Sequence, residues 1–506
     1  MRRLLLLPAL LTAAAVLIPL GWLVVRAAGA EGAWAFLTRP RSIELLENTA
    51  LLALGVLVAS TLVAAPLAWL VTRTDVWGRR LITALAVLPL AVPGYVMAYS
   101  LRGLGGPRGA GKSLIGLEFP LFEGYWGALV ALTLYNAPYL FLTLKVALER
   151  LDSGPTEAAR SLGAGPVRVL FRVVLPSLLP AWLAGALLIG LYVLGDFGVV
   201  SLMRYPTLSL ALYSHWAEVA YAAWIALVLL ALAAVLLVAE GLLLGRRSRR
   251  RVGVGTARVP RRRVLGWQQA PAWIFSGSLA FFGLGVPVAT AAWWWSRGPE
   301  LFRPAELWAA AGDSLSAALP GAFLTVLLAL PLAFLADRSR GLLARAAEAV
   351  ARVGYAVPPL ALALALVFFS LAVAPGLRDT RILLVVGFAL HGLMLALGPL
   401  RGTLALLTPR HEEAARSLGA GPLATLARVT LPALKGALGA GFILAFLAAM
   451  KELPLTRLLA PLDFRALSVV AWGHANEAMF ADAAPYALAI VGLSAVTVAL
   501  VLRSER

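Results

Sequence analysis

Apolar runs of about twenty residues recur along the chain, each long enough to cross the roughly 30 Å hydrocarbon core of a bilayer as a helix. Twelve such spans are predicted, at about 4–27, 43–72, 81–101, 125–149, 178–200, 219–245, 271–296, 314–336, 346–374, 380–400, 433–456 and 485–502. The span at 178–200 carries Gly and Pro and is expected to be kinked or broken. A β-barrel is excluded, because its spans would alternate over about ten residues instead of running continuously apolar. Of the 506 residues, 61% are hydrophobic and 14% charged. Soluble domains are about 45–50% apolar and about 25% charged. A water-soluble enzyme could not cover that much apolar surface, and disordered and fibrous classes are excluded with it.

The chain has no cysteine, which removes disulfides, iron–sulfur clusters, thiolate metal sites and cysteine nucleophiles. Its net charge of +19 is read as loop arginines meeting anionic headgroups, with no nucleic acid as partner. With the N-terminus inside, the larger share of the 44 Lys and Arg falls in the even-numbered loops and the tails. That is the bias of cytoplasmic loops, so both termini are expected in the cytoplasm of a multi-pass membrane protein. The first segment resembles a signal peptide, but its apolar run exceeds the usual 7–15 residues and is read as an uncleaved span. The stretch RRSRRRVGVGTARVPRRR from Arg246 to Arg263 lacks a helical apolar period. It is read as a cytoplasmic linker over 246–266, between a first repeat at 1–245 and a second at 267–506.

Those two halves match. EAARSLGAGPVRVLFRVVLP begins at Glu157 and EAARSLGAGPLATLARVTLP at Glu413, an offset of 256. The offset persists to Pro176 and Pro432, and to Asp196 and Glu452. Upstream, PLAWL at Pro66 and PLAFL at Pro331 match at an offset of 265, as do Pro93 and Pro358. Nine extra residues therefore lie in the first half, between about 93 and 135, relative to 358–391 in the second. Six spans per half make the copies parallel, related by an axis along the membrane normal, with a path for a solute between them. The expected fold is an all-α polytopic membrane protein of about twelve transmembrane helices in two parallel six-helix repeats.

The repeated loop lies on the cytoplasmic side in this topology. Glu157 to Leu162 favours helix, and Gly163 permits the left-handed geometry that ends it. Gly165-Pro166 turns the chain, and Val167 to Leu175 resumes a helix that Pro176 is expected to stop. Such an exposed helix can seat in a groove on a partner, or merely touch lipid. EAA-x-x-x-G with a downstream LP, present twice, resembles the EAA loop of permease subunits of bacterial ABC importers. The resemblance covers both halves. It implies that Glu157, Ala158, Ala159 and Gly163, and Glu413, Ala414, Ala415 and Gly419, form two docking loops for ATP-hydrolysing subunits. It also implies an external or periplasmic substrate-binding protein, no bound cofactor, and ATP used only by the partner. Gly195-Asp196-Phe197-Gly198-Val199 and Lys451-Glu452-Leu453-Pro454 resemble segments of fused two-copy ferric iron permeases. Fused thiamine permeases share the layout. Pro180 stands where the second half has Gly436, so the two docking elements are not identical.

Gly106 to Ser113 fits the phosphate-loop pattern G-x-x-x-x-G-K-S, but no strand precedes it and it joins two spans, so an external turn is expected. Ionisable residues at membrane depth are candidates for a substrate path. Asp196 and Glu452 could attract a hard cation, which favours oxygen ligands, or could instead cap helices or pair locally, Glu452 with Arg457. Tyr192 lies one turn before Asp196, and Tyr135 corresponds to His391 across the repeat. No tight metal site is expected, only transient contact at Asp196 and Glu452. His215 and His474 fall in loops, and Trp293-Trp294-Trp295 reads as an interfacial anchor. The reading is a permease, not an enzyme. An ion-gradient-driven transporter is the rival, and the EAA loops argue against it.

Overall fold

The structure, a computed structural model, describes residues 2–29, 38–244, 263–338, 341–407 and 410–504. Helix α1 (Arg2–Ala28) leads into the first repeat. There follow α2 (Pro40–Arg73), a bent pair α3 (Arg79–Val87) and α4 (Gly94–Leu104), α5 (Gly124–Glu149) and the short α6 (Gly154–Ser161). Next come α7 (Pro166–Gly195), two short helices α8 (Gly198–Leu202) and α9 (Leu208–Ser214), and α10 (Val219–Leu244). The second repeat has the same order. Its lead helix is α11 (Gly266–Ser296), followed by α12 (Pro304–Arg338), the bent pair α13 (Leu342–Ala356) and α14 (Pro359–Val373), α15 (Arg381–Leu406) and α16 (Arg410–Ser417). It closes with α17 (Pro422–Lys451), α18 (Pro454–Leu459), α19 (Leu467–Asn476) and α20 (Phe480–Ser504). Ten described helices are long and apolar enough to cross a membrane, and the two bent pairs bring the total to twelve. Among the described residues the only β pairing is one bridge between Thr74 and Arg263.

Two expected spans are not straight. The α3–α4 pair bends by 88° and α13–α14 by 102°. Each break falls at a Val-Pro step, Val92-Pro93 and Val357-Pro358. A residue before proline is pushed into extended backbone, and Val92 and Val357 have ψ of 114° and 123°. The proline carbonyl then starts the next helix, accepting from Met97 and Leu362. Hydropathy alone counted each pair as one span because the bend does not interrupt the apolar composition.

Pro176 and Pro432 do not stop their helices, contrary to the sequence expectation. Each follows a π turn, Leu170–Val174 and Leu426–Thr430, in which Leu175 and Leu431 donate five residues back. The widened turn accommodates the ring that would clash in a regular α-helix. Helix α7 also runs through Pro180 and ends only at Gly195, so its break lies at the far end of the expected span.

The lead helices cross over. Helix α1 packs on α12, α13 and α14 of the second repeat as well as on α10. Helix α11 packs on α3 and α4 of the first repeat and on α20. Trp294 secures the latter crossing by donating Nε1–H to the Gly103 carbonyl at 3.0 Å. The expected linker, 246–266, lies outside the described residues as far as 262. Its end is paired to the α2–α3 turn: Arg263 donates its backbone N–H to the Arg73 carbonyl at 2.9 Å, and Leu265 to Asp75 Oδ1 at 2.9 Å.

Candidate functional site: two repeated loops and a polar centre

The repeated loops have the same geometry. Helix α6 ends at Gly163, with φ +79°, and α16 at Gly419, with φ +85°. Ala164 donates to the Ala159 carbonyl and Gly163 to that of Arg160. In the second loop Ala420 donates to Ala415 and Gly419 to Arg416. This is the double closure of a left-handed helix terminus, which satisfies carbonyls that the helix leaves unpaired. Among the described residues nothing lies within 4 Å of a side chain placed at either glycine, so the backbone conformation is what demands glycine there. Glu157, Ala158, Glu413 and Ala414 are exposed, while Ala159 and Ala415 are half-buried. Leu162 and Leu418, next to the glycines, are each 88% exposed, and Val167 and Leu423 stand out beside them. Phe171 is exposed only in the first loop, since its counterpart is Ala427. Both loops therefore present matched apolar side chains that the other described residues do not cover.

A polar cluster sits where the repeats meet. Asp196 is 8% exposed; its Oδ1 accepts from the backbone N–H of Val199 at 2.9 Å and of Val200 at 3.3 Å, capping α8. Glu452 Oε1 accepts more weakly from Leu455 N–H, at 3.3 Å, at the start of α18. Both carboxylates thus cap helices, and they remain within electrostatic reach of each other. Glu452 does not pair with Arg457, whose Nε donates instead to Tyr213 Oη at 3.1 Å. Tyr135 stacks on Tyr192 with ring centroids 4.6 Å apart, and its hydroxyl lies 3.2 Å from that of Tyr139. His391 stacks on Tyr355 at 5.9 Å, and its Nδ1 has no hydrogen-bond partner among the described residues. The structure therefore gathers Asp196, Glu452, Tyr192 and Tyr135 around the interface, with His391 beside Tyr355.

Sequence reasoning missed Lys451 as a site residue. Its Nζ reaches across the interface to the Leu90 carbonyl at 3.0 Å, at the end of α3, and lies 5.9 Å from the Tyr135 ring centroid. The matching residue is Gly195, where a side chain would meet Pro359 Cδ at 2.7 Å. Each repeat's α7 or α17 end thus abuts the helix break of the other. The signal was available: a lysine closing an apolar helix is conspicuous at membrane depth.

Next to Asp196, aromatic rings drawn from both repeats pack together. Phe197 lies 4.1 Å from Tyr213 and 5.0 Å from Trp472, whose Nε1–H donates to Ser201 Oγ at 2.9 Å. The other sequence features are local. The G-x-x-x-x-G-K-S segment is a turn only over Gly106–Gly109; contrary to expectation its remainder opens a short helix, Ala110–Ile115, where Lys112 pairs with Glu118 at 2.9 Å and Gly111 packs on Phe119. Trp294 is a packing residue, while Trp293 carries Arg297 over its ring at 4.5 Å. His215 bonds the Ala211 carbonyl and His474 faces Tyr486. Among the described residues, no group of three His, Asp or Glu could hold a metal ion.

Two parallel copies of one helical unit, each with an exposed EAA loop and joined around a polar centre, define the permease class of ABC transporters. The chain belongs to the family described as binding-protein-dependent transport system inner membrane component, which matches residues 53–252 and 329–506. It is 31% identical to a Fe(3+)-transport system permease protein of Haemophilus influenzae, over 92% of this chain and 90% of that one. A probable molybdenum ABC transporter permease of Haloferax volcanii is 36% identical over 26% of this chain and 49% of its own length. A sulfate transport system permease of Salmonella typhimurium is 31% identical over 37% and 68%.

Proposed function

We propose that the chain is the membrane subunit of an ATP-driven importer that moves ferric iron into the cytoplasm of a bacterium. The observation that carries this reading is the near full-length match to the Fe(3+)-transport permease, joined to a centre of carboxylates and phenols. Oxygen donors suit a hard trivalent cation, and loose spacing lets it leave. A substrate-binding protein delivers iron to the outer face. Two ATP-hydrolysing subunits seat on the loops of Glu157, Ala158, Ala159, Gly163 and Leu162, and of Glu413, Ala414, Ala415, Gly419 and Leu418. The chain itself performs no bond chemistry. The membrane is the inner one, both termini are cytoplasmic, and residues 246–266 tie the two repeats on that side.

The path runs past Asp196, Glu452, Tyr192, Tyr135 and His391. The Phe197–Tyr213–Trp472 cluster supports a resting state closed toward the outside. ATP-driven closure of the partner subunits opens that side, and hydrolysis reopens the cytoplasmic one. The test is uptake of radiolabelled ferric iron, sulfate, molybdate and thiamine in a permease-deletion strain carrying this gene. Selective restoration of iron uptake is expected. Uptake of another solute alone would overturn the substrate and leave the permease.

A further inference from the structure

Two arginines make the same contact in the two repeats. Arg73, the last residue of α2, donates from Nη2 to the Leu148 carbonyl at 2.7 Å and the Leu151 carbonyl at 3.4 Å. Arg338, the last residue of α12, donates from Nη2 to the Leu407 carbonyl at 2.7 Å. Arg73 and Arg338 correspond at the offset of 265, and Leu151 and Leu407 at 256. The accepting carbonyls lie at the C-terminal ends of α5 and α15. There the last turn lacks intrahelical donors and the helix dipole favours a cation. Only a few residues further on, α6 and α16 begin. Arg338 adds contacts to Asp337 at 2.8 Å and to Glu412 of α16 at 3.8 Å.

We infer that Arg73 and Arg338 are positioning residues that hand the movement of the two docking loops to α2 and α12. This rests on the docking role proposed above. Helix α6 has no fully buried residue and reaches the core through the half-buried Ala159, so its own packing gives it a slight hold on the bundle. Its two ends carry the rest. One end continues into α7, which reaches Asp196. The other is the joint after Leu151, where Arg73 adds a polar clasp to the packing of Leu151 and the buried Ser153. With the clasp, loop, α5 and α2 move together, and α2 already packs along α5 and α7. The second repeat has the same arrangement, with α12 packed along α15 and α17. The Arg73 carbonyl also accepts from Arg263, so the first clasp joins the α2 end to the start of the second repeat.

The chain has no cysteine, so a spin-label pair can be introduced cleanly. Labels at T72C and A336C report the separation of the α2 and α12 ends in the full complex with its ATPase subunits. The separation is expected to shift between nucleotide-free and ATP-bound states. In R73Q/R338Q the ATPase subunits should remain bound and ATP should still be hydrolysed, while more than half of that shift is lost. R73K/R338K, which keeps a cationic donor, should recover part of it. A full shift in R73Q/R338Q overturns the clasp and leaves the docking loops standing. Loss of ATPase binding in that variant also overturns it, since the arginines would then belong to the seat. L162D/L418D separates the two ideas: it should release the ATPase subunits, and full retention would overturn the docking reading and the clasp with it.

Discussion

Asp196 holds two roles that one pair of substitutions can separate. Its carboxylate caps α8 through Val199 and Val200, and it lies in the polar centre. Asparagine keeps the cap and removes the charge, whereas alanine removes both. D196N/E452Q should slow iron uptake about tenfold or more, as loss of a ~1.4 kcal/mol interaction does, with unchanged thermal unfolding. D196A should slow uptake equally and in addition destabilise the protein by about 1 kcal/mol. Unchanged uptake in D196N/E452Q would leave both carboxylates as caps alone. The sequence pointed to this pair because the repeat aligned them. Lys451 stood in plain view beside Glu452, but its reach to Leu90 was not legible, because that contact spans 361 residues and no local pattern encodes it.

The helix termini and breaks carry the next level. Gly163 and Gly419 occupy left-handed backbone in open space, so a substitution there tests conformation without a clash. G163V/G419V should cost about 1–2 kcal/mol of local strain at each loop. Copurification of the ATPase subunits should fall, while the protein still inserts. G163N/G419N should retain binding, since asparagine tolerates that region. Equal binding by both variants would show that loop shape is not what the partner reads. These termini were legible, as glycine after a polar helical run has one common use. The Val-Pro breaks were legible only as matched prolines, and Pro176 was misread. Whether a proline ends a helix, bends it or is absorbed by a π turn depends on what packs around it, which the chain in one dimension does not state.

At the scale of the molecule, the crossing of α1 onto α12–α14 and of α11 onto α3–α4 means that neither repeat is complete by itself. Cutting the chain within residues 246–262 and coexpressing the pieces should yield halves that copurify and transport. Removing residues 2–28 should destabilise the second repeat's α13–α14 bend, read as faster proteolysis there, although those residues belong to the first half of the chain. Retention of full protease resistance would make α1 a bystander. Span number and duplication were readable from apolar length and self-similarity, but which half receives each lead helix was not. The centre shows what a single polypeptide permits. Lys451 reaches over the interface, while the matching Gly195 has no room for a side chain against Pro359. A homodimer built from either half would have to place the same residue on both sides of its axis. Joining the copies frees one from imitating the other, so a single ammonium group can sit off-axis at a centre whose scaffold remains two-fold.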